Sequence, residues 1–354
     1  MTKNIKKKEM IPLFEKFIQE SKNGSRIQKN GKRISLSSIT SYKNTLNYII
    51  KINNKSQSPI AISCNFKKNR QEIIAESKYW ASFFVQFKKE MYLNGCSDNY
   101  VGLNIKNLKT FFKYLESEKF FPASDFYKKF YPPHFETQIF VLEQDKLRFL
   151  ISNLDFENTL SDDLKTIKDI FVVGCTISLR YSDLISLKKT NLHYANNNQY
   201  IVTTSKKTNT QTRIKIPNHI KEIIDKYKKR KNTKLFPEIS LWNFNRYIKI
   251  LGELAGWTYI VEKQRVFNGQ KKEVKKNGLS FRYCDRLSSH TMRKTAITTL
   301  LTLGMPEQIV RKISGHSVNS KEFYKYVKYS DSFQDEETDK AFSKLIQIQF
   351  QHFY

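Results

Sequence analysis

Residues 289–329, SHTMRKTAITTLLTLGMPEQIVRKISGHSVNSKEFYKYVKY, decide how the rest of the chain is read. Within this stretch Ala296, Leu300 and Leu303, then Ile309, Val310 and Ile313, recur at three- and four-residue spacing, which predicts two short helices. Gly304 and Pro306 punctuate them, glycine as a helix end and proline as a first-turn residue. His290 and Arg293 then stand one turn apart at a helix start, and Gly315-His316 follows the end of the next helix. Tyr324 and Tyr326 come eight and ten residues after His316. Imidazole and guanidinium groups gathered in this way suit an anion, and a tyrosine beside them suggests a nucleophile aimed at a phosphate.

Composition points the same way. Sixty-two Lys+Arg face 33 Asp+Glu over 354 residues, a net charge of +29. A polyanionic partner is the simple physical reading, because each neutralised phosphate releases counterions and strengthens binding. An AT-rich coding bias inflates lysine but does not by itself unbalance the acids this far. A hydrophobic content of 39% excludes global disorder and allows two domains with their own cores. The N-terminal MTKNIKKKEM lacks the apolar segment of a signal peptide, and no apolar run is long enough to span a bilayer. Cys64, Cys96, Cys175 and Cys284 are scattered, without C-x-x-C spacing, and read as reduced thiols. A cytoplasmic, nucleoid-associated protein with neither membrane contact nor metal or other cofactor is expected. The absence of a P-loop and of an acidic metal cluster agrees with that expectation.

Upstream, Met10–Ser21, a segment from Ile39 to Ile49 that Ser37-Ser38 would cap, Tyr79–Leu93 and Val101–Leu115 carry helical apolar stripes. Lys106, Lys109 and Lys113 are interleaved with the last of these stripes. By itself this half reads as a helical bundle with solvated lysines. Pro122, Pro132 and Pro133 mark an extended connection ending near residue 138. Beyond it, DIFVVGCTISLRYSDLISL surrounds a single Arg180 with apolar residues, and YIVTTSKKTNTQTRIKIP predicts a β-hairpin around KKTNTQ. Residues 262–281 predict a polar surface loop or β-ribbon, and Phe342–Phe350 a terminal amphipathic helix.

His-x-x-Arg, then Gly-His, then a tyrosine resembles the tyrosine recombinases, or phage-integrase family. HTMRKT and ISGHS look especially like integrases of bacterial mobile elements. TISLRYSDL resembles the family's T-G-L-R-x-S-D/E-L, with Ser178 in place of glycine. The resemblance implies that Arg180, His290, Arg293 and His316 contact a scissile phosphate. It also implies that a hairpin lysine protonates the leaving 5′-oxygen, Lys207 by pattern with Lys206 as alternate. Taken alone, Arg180 reads rather as the partner of Asp183 three residues on, because such pairs are abundant. The family's usual His-to-Tyr gap falls between Tyr324 and Tyr326. The phrase F-Y-K-Y-V-K favours Tyr326 as nucleophile, Tyr324 as runner-up and Tyr329 third.

The fold implied is mainly α with a small β-sheet in the catalytic domain. Residues 1–125 would form a helical core-binding domain, 126–138 a linker, and 139–335 the catalytic domain. Residues 336–354 would form a C-terminal helix that docks on a neighbouring subunit. The activity implied is site-specific DNA recombination through a 3′-phosphotyrosyl intermediate, in integration or excision of a mobile element. A homo-tetramer on double-stranded recombination sites, with accessory DNA-bending proteins, would carry it out. Type IB topoisomerase-like relaxation and a non-catalytic DNA-binding protein of the same fold are the alternatives.

Overall fold

The computed structural model describes residues 7–64, 68–118, 125–206 and 209–351, so Lys207, the expected hairpin lysine, lies outside the described residues. The chain is mainly helical with small antiparallel sheets, and it divides into two compact units. Met1–Thr137 with Lys263–Val274 make the first, and Gln138–Glu262 with Lys275–Tyr354 the second.

In the first unit β1 (Lys7–Glu9) leads into α1 (Met10–Asn23), followed by α2 (Leu36–Lys55), β2 (Ala61–Ser63), α3 (Arg70–Leu93) and α4 (Asp98–Glu118). The two short strands pair antiparallel. Met10, Phe14 and Phe17 on α1 meet Ile39, Tyr42, Leu46 and Ile49 on α2 as one buried face. Ser35 rather than Ser37-Ser38 is the cap of α2: its Oγ accepts the Ser38 backbone N–H at 3.2 Å, and the helix has begun by Leu36. Asn69 and Glu72 form a reciprocal capping box that starts α3 well ahead of Tyr79. Residues expected in the linker belong to the core instead. A 3-10 turn at Asp125–Lys129 stacks Phe126 on Trp80 at 4.7 Å, and Tyr127 and Phe130 are buried with it. Burying three aromatic rings outweighs leaving the segment free.

The 262–281 excursion contains a two-stranded ribbon, Gln264–Phe267 paired with Gln270–Glu273. Asn268 and Gly269 both take positive φ, the hairpin turn this dipeptide favours. Their N–H groups donate to the two carboxylate oxygens of Asp98 at 2.7 and 2.9 Å, which places the ribbon in the first unit.

The second unit runs α5 (Gln144–Ser152), α6 (Leu154–Thr159), α7 (Asp162–Ile177), α8 (Tyr181–Leu184) and the meander β3 (Leu192–Ala195), β4 (Asn198–Thr204), β5 (Gln211–Lys215). It continues with α9 (Asn218–Lys228), α10 (Leu241–Leu254), α11 (Tyr283–Arg286), α12 (Ser289–Thr302), α13 (Glu307–Ser314) and α14 (Lys321–Gln351). Ile170, Phe171, Val172, Val173 and Cys175 are all buried, so the C-terminal half of α7 is apolar all round and forms the middle of the core. It packs on α12 at Gly174, where an added Cβ would sit 2.4 Å from Met292 Sδ. Residues 336–351 of the expected separate C-terminal helix instead continue α14, the helix that carries the tyrosines, with Phe342 exposed on it, and 352–354 lie outside the described residues.

Candidate active site

Two tight helix ends bring distant parts of the chain together. At the end of α7 the backbone turns through Ser178, which is fully buried at φ 57°. This is the position where the resembling motif has glycine, and left-handed φ is what glycine adopts without steric cost. The Ser178 carbonyl accepts a hydrogen bond from Arg293 Nη1 at 2.8 Å. Two residues on, Arg180 caps α8 and donates from Nη1 to Ser205 Oγ at 3.0 Å. Asp183 does not pair with Arg180; its Oδ1 accepts the Lys206 backbone N–H at 3.2 Å and so holds the β4–β5 turn. Lys206 itself is exposed in that turn.

The second helix end is that of α13. Gly315 at φ 64° reverses the chain, with its own N–H bonded to Lys312 O and that of His316 to Arg311 O, a Schellman motif. Thr212 of β5 lies 3.5 Å from where a Cβ on Gly315 would stand. Arg293 Nη2 donates to Ser314 O at 2.7 Å and lies 3.3 Å from His316 Nε2. His316 Nδ1 is 2.8 Å from Ser314 Oγ.

The tyrosines separate by helix geometry, because residues two apart project from opposite sides. Tyr326 is 6% exposed, packed with Ile297, Leu301, Val310 and Phe323, its ring 6.0 Å from that of His316. Tyr324 is 55% exposed and lies under the Arg311 guanidinium. Tyr329 is half-buried one turn further along. Arg180, Arg293, His316 and Tyr326 are thus brought together. His290 is exposed in the first turn of α12, whose start is fixed by Asn245 Oδ1 accepting the Ser289 N–H at 2.7 Å. Ser205, Asn245 and Ser314 were not singled out from the sequence, since a polar residue that serves by one hydrogen bond carries no spacing signal.

Burial and like charge dominate the electrostatics. Burial, then the neighbouring Arg180, draws Arg293 down to about 10. His316 is pushed down to about 3, first by burial and then by Arg293, Arg180 and Arg311, so it is neutral at physiological pH. Burial raises the Tyr326 phenol despite the opposing pull of Arg293 and Arg180. Among the described residues no carboxylate lies within ion-pair distance of Arg180 or Arg293. Two guanidiniums held by backbone and hydroxyl oxygens, beside a neutral imidazole and a phenol, form a site that an anion would complete.

Comparison with protein-family models matches residues 141–332 to the phage integrase family. No curated protein matches the chain in sequence. Similar solved structures include XerH site-specific recombinase bound to a palindromic difH substrate, post-cleavage, at 14% identity and TM-score 0.56 over 93% of this chain and 84% of that one. A lambda integrase dimer bound to a COC′ core site matches at 12% identity and TM-score 0.55 over 90% and 77%. Tn1549 transposon integrase in complex with circular intermediate DNA matches at 15% identity and TM-score 0.53 over 90% and 94%. Among the described residues no helix is long and apolar enough to cross a membrane.

Proposed function

The chain belongs to the phage integrase family and is a tyrosine-type site-specific DNA recombinase, and from that premise we propose how its residues divide the work. Tyr326 Oη attacks a backbone phosphorus to form a 3′-phosphotyrosyl bond, and the 5′-oxygen leaves with a proton from Lys207, or Lys206 in its place. Arg180 and Arg293, with His290 and His316 beside them, offset the charge that builds on the non-bridging oxygens. A 5′-hydroxyl from a partner strand reverses the step, so bond energy stays in the covalent intermediate. The observation that carries this reading is the gathering of Arg180, Arg293 and His316 about the buried Tyr326, with neither arginine paired to a carboxylate among the described residues.

The first unit is the core-binding domain in this reading, and the working form is a tetramer on two duplex sites in the cytoplasm. Integration or excision of a mobile element is the task, with DNA-bending accessory proteins as further partners. A nicked suicide duplex tests the chemistry. The wild-type chain traps a covalent adduct, Tyr326→Phe forms none, and Tyr324→Phe retains it. An adduct from Tyr326→Phe would overturn the nucleophile assignment. Junction formation between two labelled duplexes separates recombination from topoisomerase-like relaxation.

A further inference from the structure

We propose that Arg311 is a positioning residue for the nucleophile: it fastens the α13–α14 loop and the first turn of α14, and through Phe323 sets where Tyr326 stands. The proposal rests on the recombinase reading above and concerns how the tyrosine is held, as distinct from how the phosphate is bound.

Arg311 lies in the last turn of α13 and is buried. Burying a guanidinium is unfavourable unless its donors are used, and here they are. Nη1 donates to Val318 O at 3.0 Å and to Ser317 O at 3.4 Å, and Nη2 to Glu307 Oε2 at 3.2 Å. The guanidinium carbon also lies 4.0 Å from the centre of the Phe323 ring and 4.8 Å from that of Tyr324. One side chain thus reaches the helix before the loop, the loop itself and the helix after it. Lysine could not do the same, because only a planar fork donates in two directions while its face rests on aromatic rings.

Ser317, Val318 and Asn319 are exposed, so burial does little to order the loop between Gly315 and α14. The guanidinium supplies that order from α13. Phe323 is fully buried, its ring 5.4 Å from that of His316 and 6.3 Å from that of Tyr326. Three residues apart, Phe323 and Tyr326 share a face of α14, so a shift of one carries the other. Tyr324 projects from another side and rests on Arg311, which gives the second tyrosine a part other than attack.

The test uses the full chain and separates holding the nucleophile from activating the phosphate. On the nicked duplex at saturating concentration, Arg311→Ala should form adduct about 10- to 100-fold more slowly than the wild type, with duplex affinity unchanged. Misplacement of the attacking oxygen by about 1 Å is enough for such a loss. In a Tyr326→Phe background, hydrogen peroxide supplied in solution replaces the phenol. Its anion forms the new bond to phosphorus, the P–O5′ bond breaks, and the 5′-oxygen takes its proton from the hairpin lysine. This cleavage should proceed at the same rate with and without Arg311→Ala. Should Arg311→Ala fail to fold, Arg311→Met, which keeps an apolar stem over the rings, gives the same readouts. Equal losses of adduct formation and peroxide cleavage overturn the proposal, because Arg311 would then act on the phosphate or on the fold at large. An unchanged adduct rate overturns it as well. A wild-type chain that forms no adduct, together with a Tyr326→Phe chain inert to peroxide, overturns the recombinase reading and takes the proposal with it.

Discussion

Ser178 is held in left-handed backbone, and its Oγ is buried without a hydrogen-bond partner among the described residues. Each feature is unfavourable: about 1–2 kcal/mol for the backbone and about 1–3 kcal/mol for the hydroxyl. Ser178→Gly relieves both, against about 1 kcal/mol of added unfolded-state entropy. The expected outcome in urea unfolding is a gain of about 1 kcal/mol, with adduct formation intact because the carbonyl that holds Arg293 remains. A loss of stability would show that the turn is not strained. His316 gives the pH counterpart. Its folded value of about 3 lies below the ordinary ~6.5, so between these the unfolded chain binds a proton that the folded chain does not. Stability present above that window is lost as pH falls through it, by about 2 kcal/mol at pH 5. His316→Gln should lose correspondingly less between pH 7 and pH 5 in the same urea series. Equal pH dependence in both chains would mean that His316 is not held neutral.

At the scale of elements, α7 and α12 carry the two arginine-bearing turns, so their approach sets the site. Gly174 permits it, with Met292 Sδ and Cβ 2.4 and 3.1 Å from an added Cβ. Gly174→Val should destabilise by about 1–3 kcal/mol and slow cleavage, since α12 cannot shift without moving Arg293. Combining it with Met292→Ala should recover at least about 0.5 kcal/mol of coupling in a double-mutant cycle, and additivity would refute the contact. Much of this layer was legible: apolar spacing marked the helices, and Gly304, Pro306 and Gly315 marked their ends. Ser178 was legible only as a departure from a motif, because its conformation follows from the chain direction α8 must take. The partners of Arg293 were not legible at all. They are main-chain carbonyls 115 and 21 residues away, and a carbonyl has no letter in the sequence. The choice between Tyr324 and Tyr326 needed the phase of α14, which a motif match does not supply.

For the whole molecule, the net charge of +29 is useful only where lysines are free to meet phosphate. The lysines of α4 divide on this point. Lys109 Nζ donates to the carbonyls of Lys128 and Phe130 at 3.1 and 3.3 Å, so it fastens the segment that follows the helix. Lys106 and Lys113, seven residues apart and therefore on one face, are exposed. If that face grips duplex DNA, replacing both by alanine removes two phosphate contacts. The slope of log affinity against log salt should then fall by about 2, with the urea midpoint unchanged. Lys109→Ala should do the reverse, lowering the midpoint while leaving the salt slope within about 0.5 of the wild type. Fluorescence anisotropy on a labelled duplex across a salt series reads the first quantity, and urea unfolding the second. A double variant with the wild-type slope would place the phosphate contacts elsewhere on the chain, and the basic face of α4 would then be solvated surface.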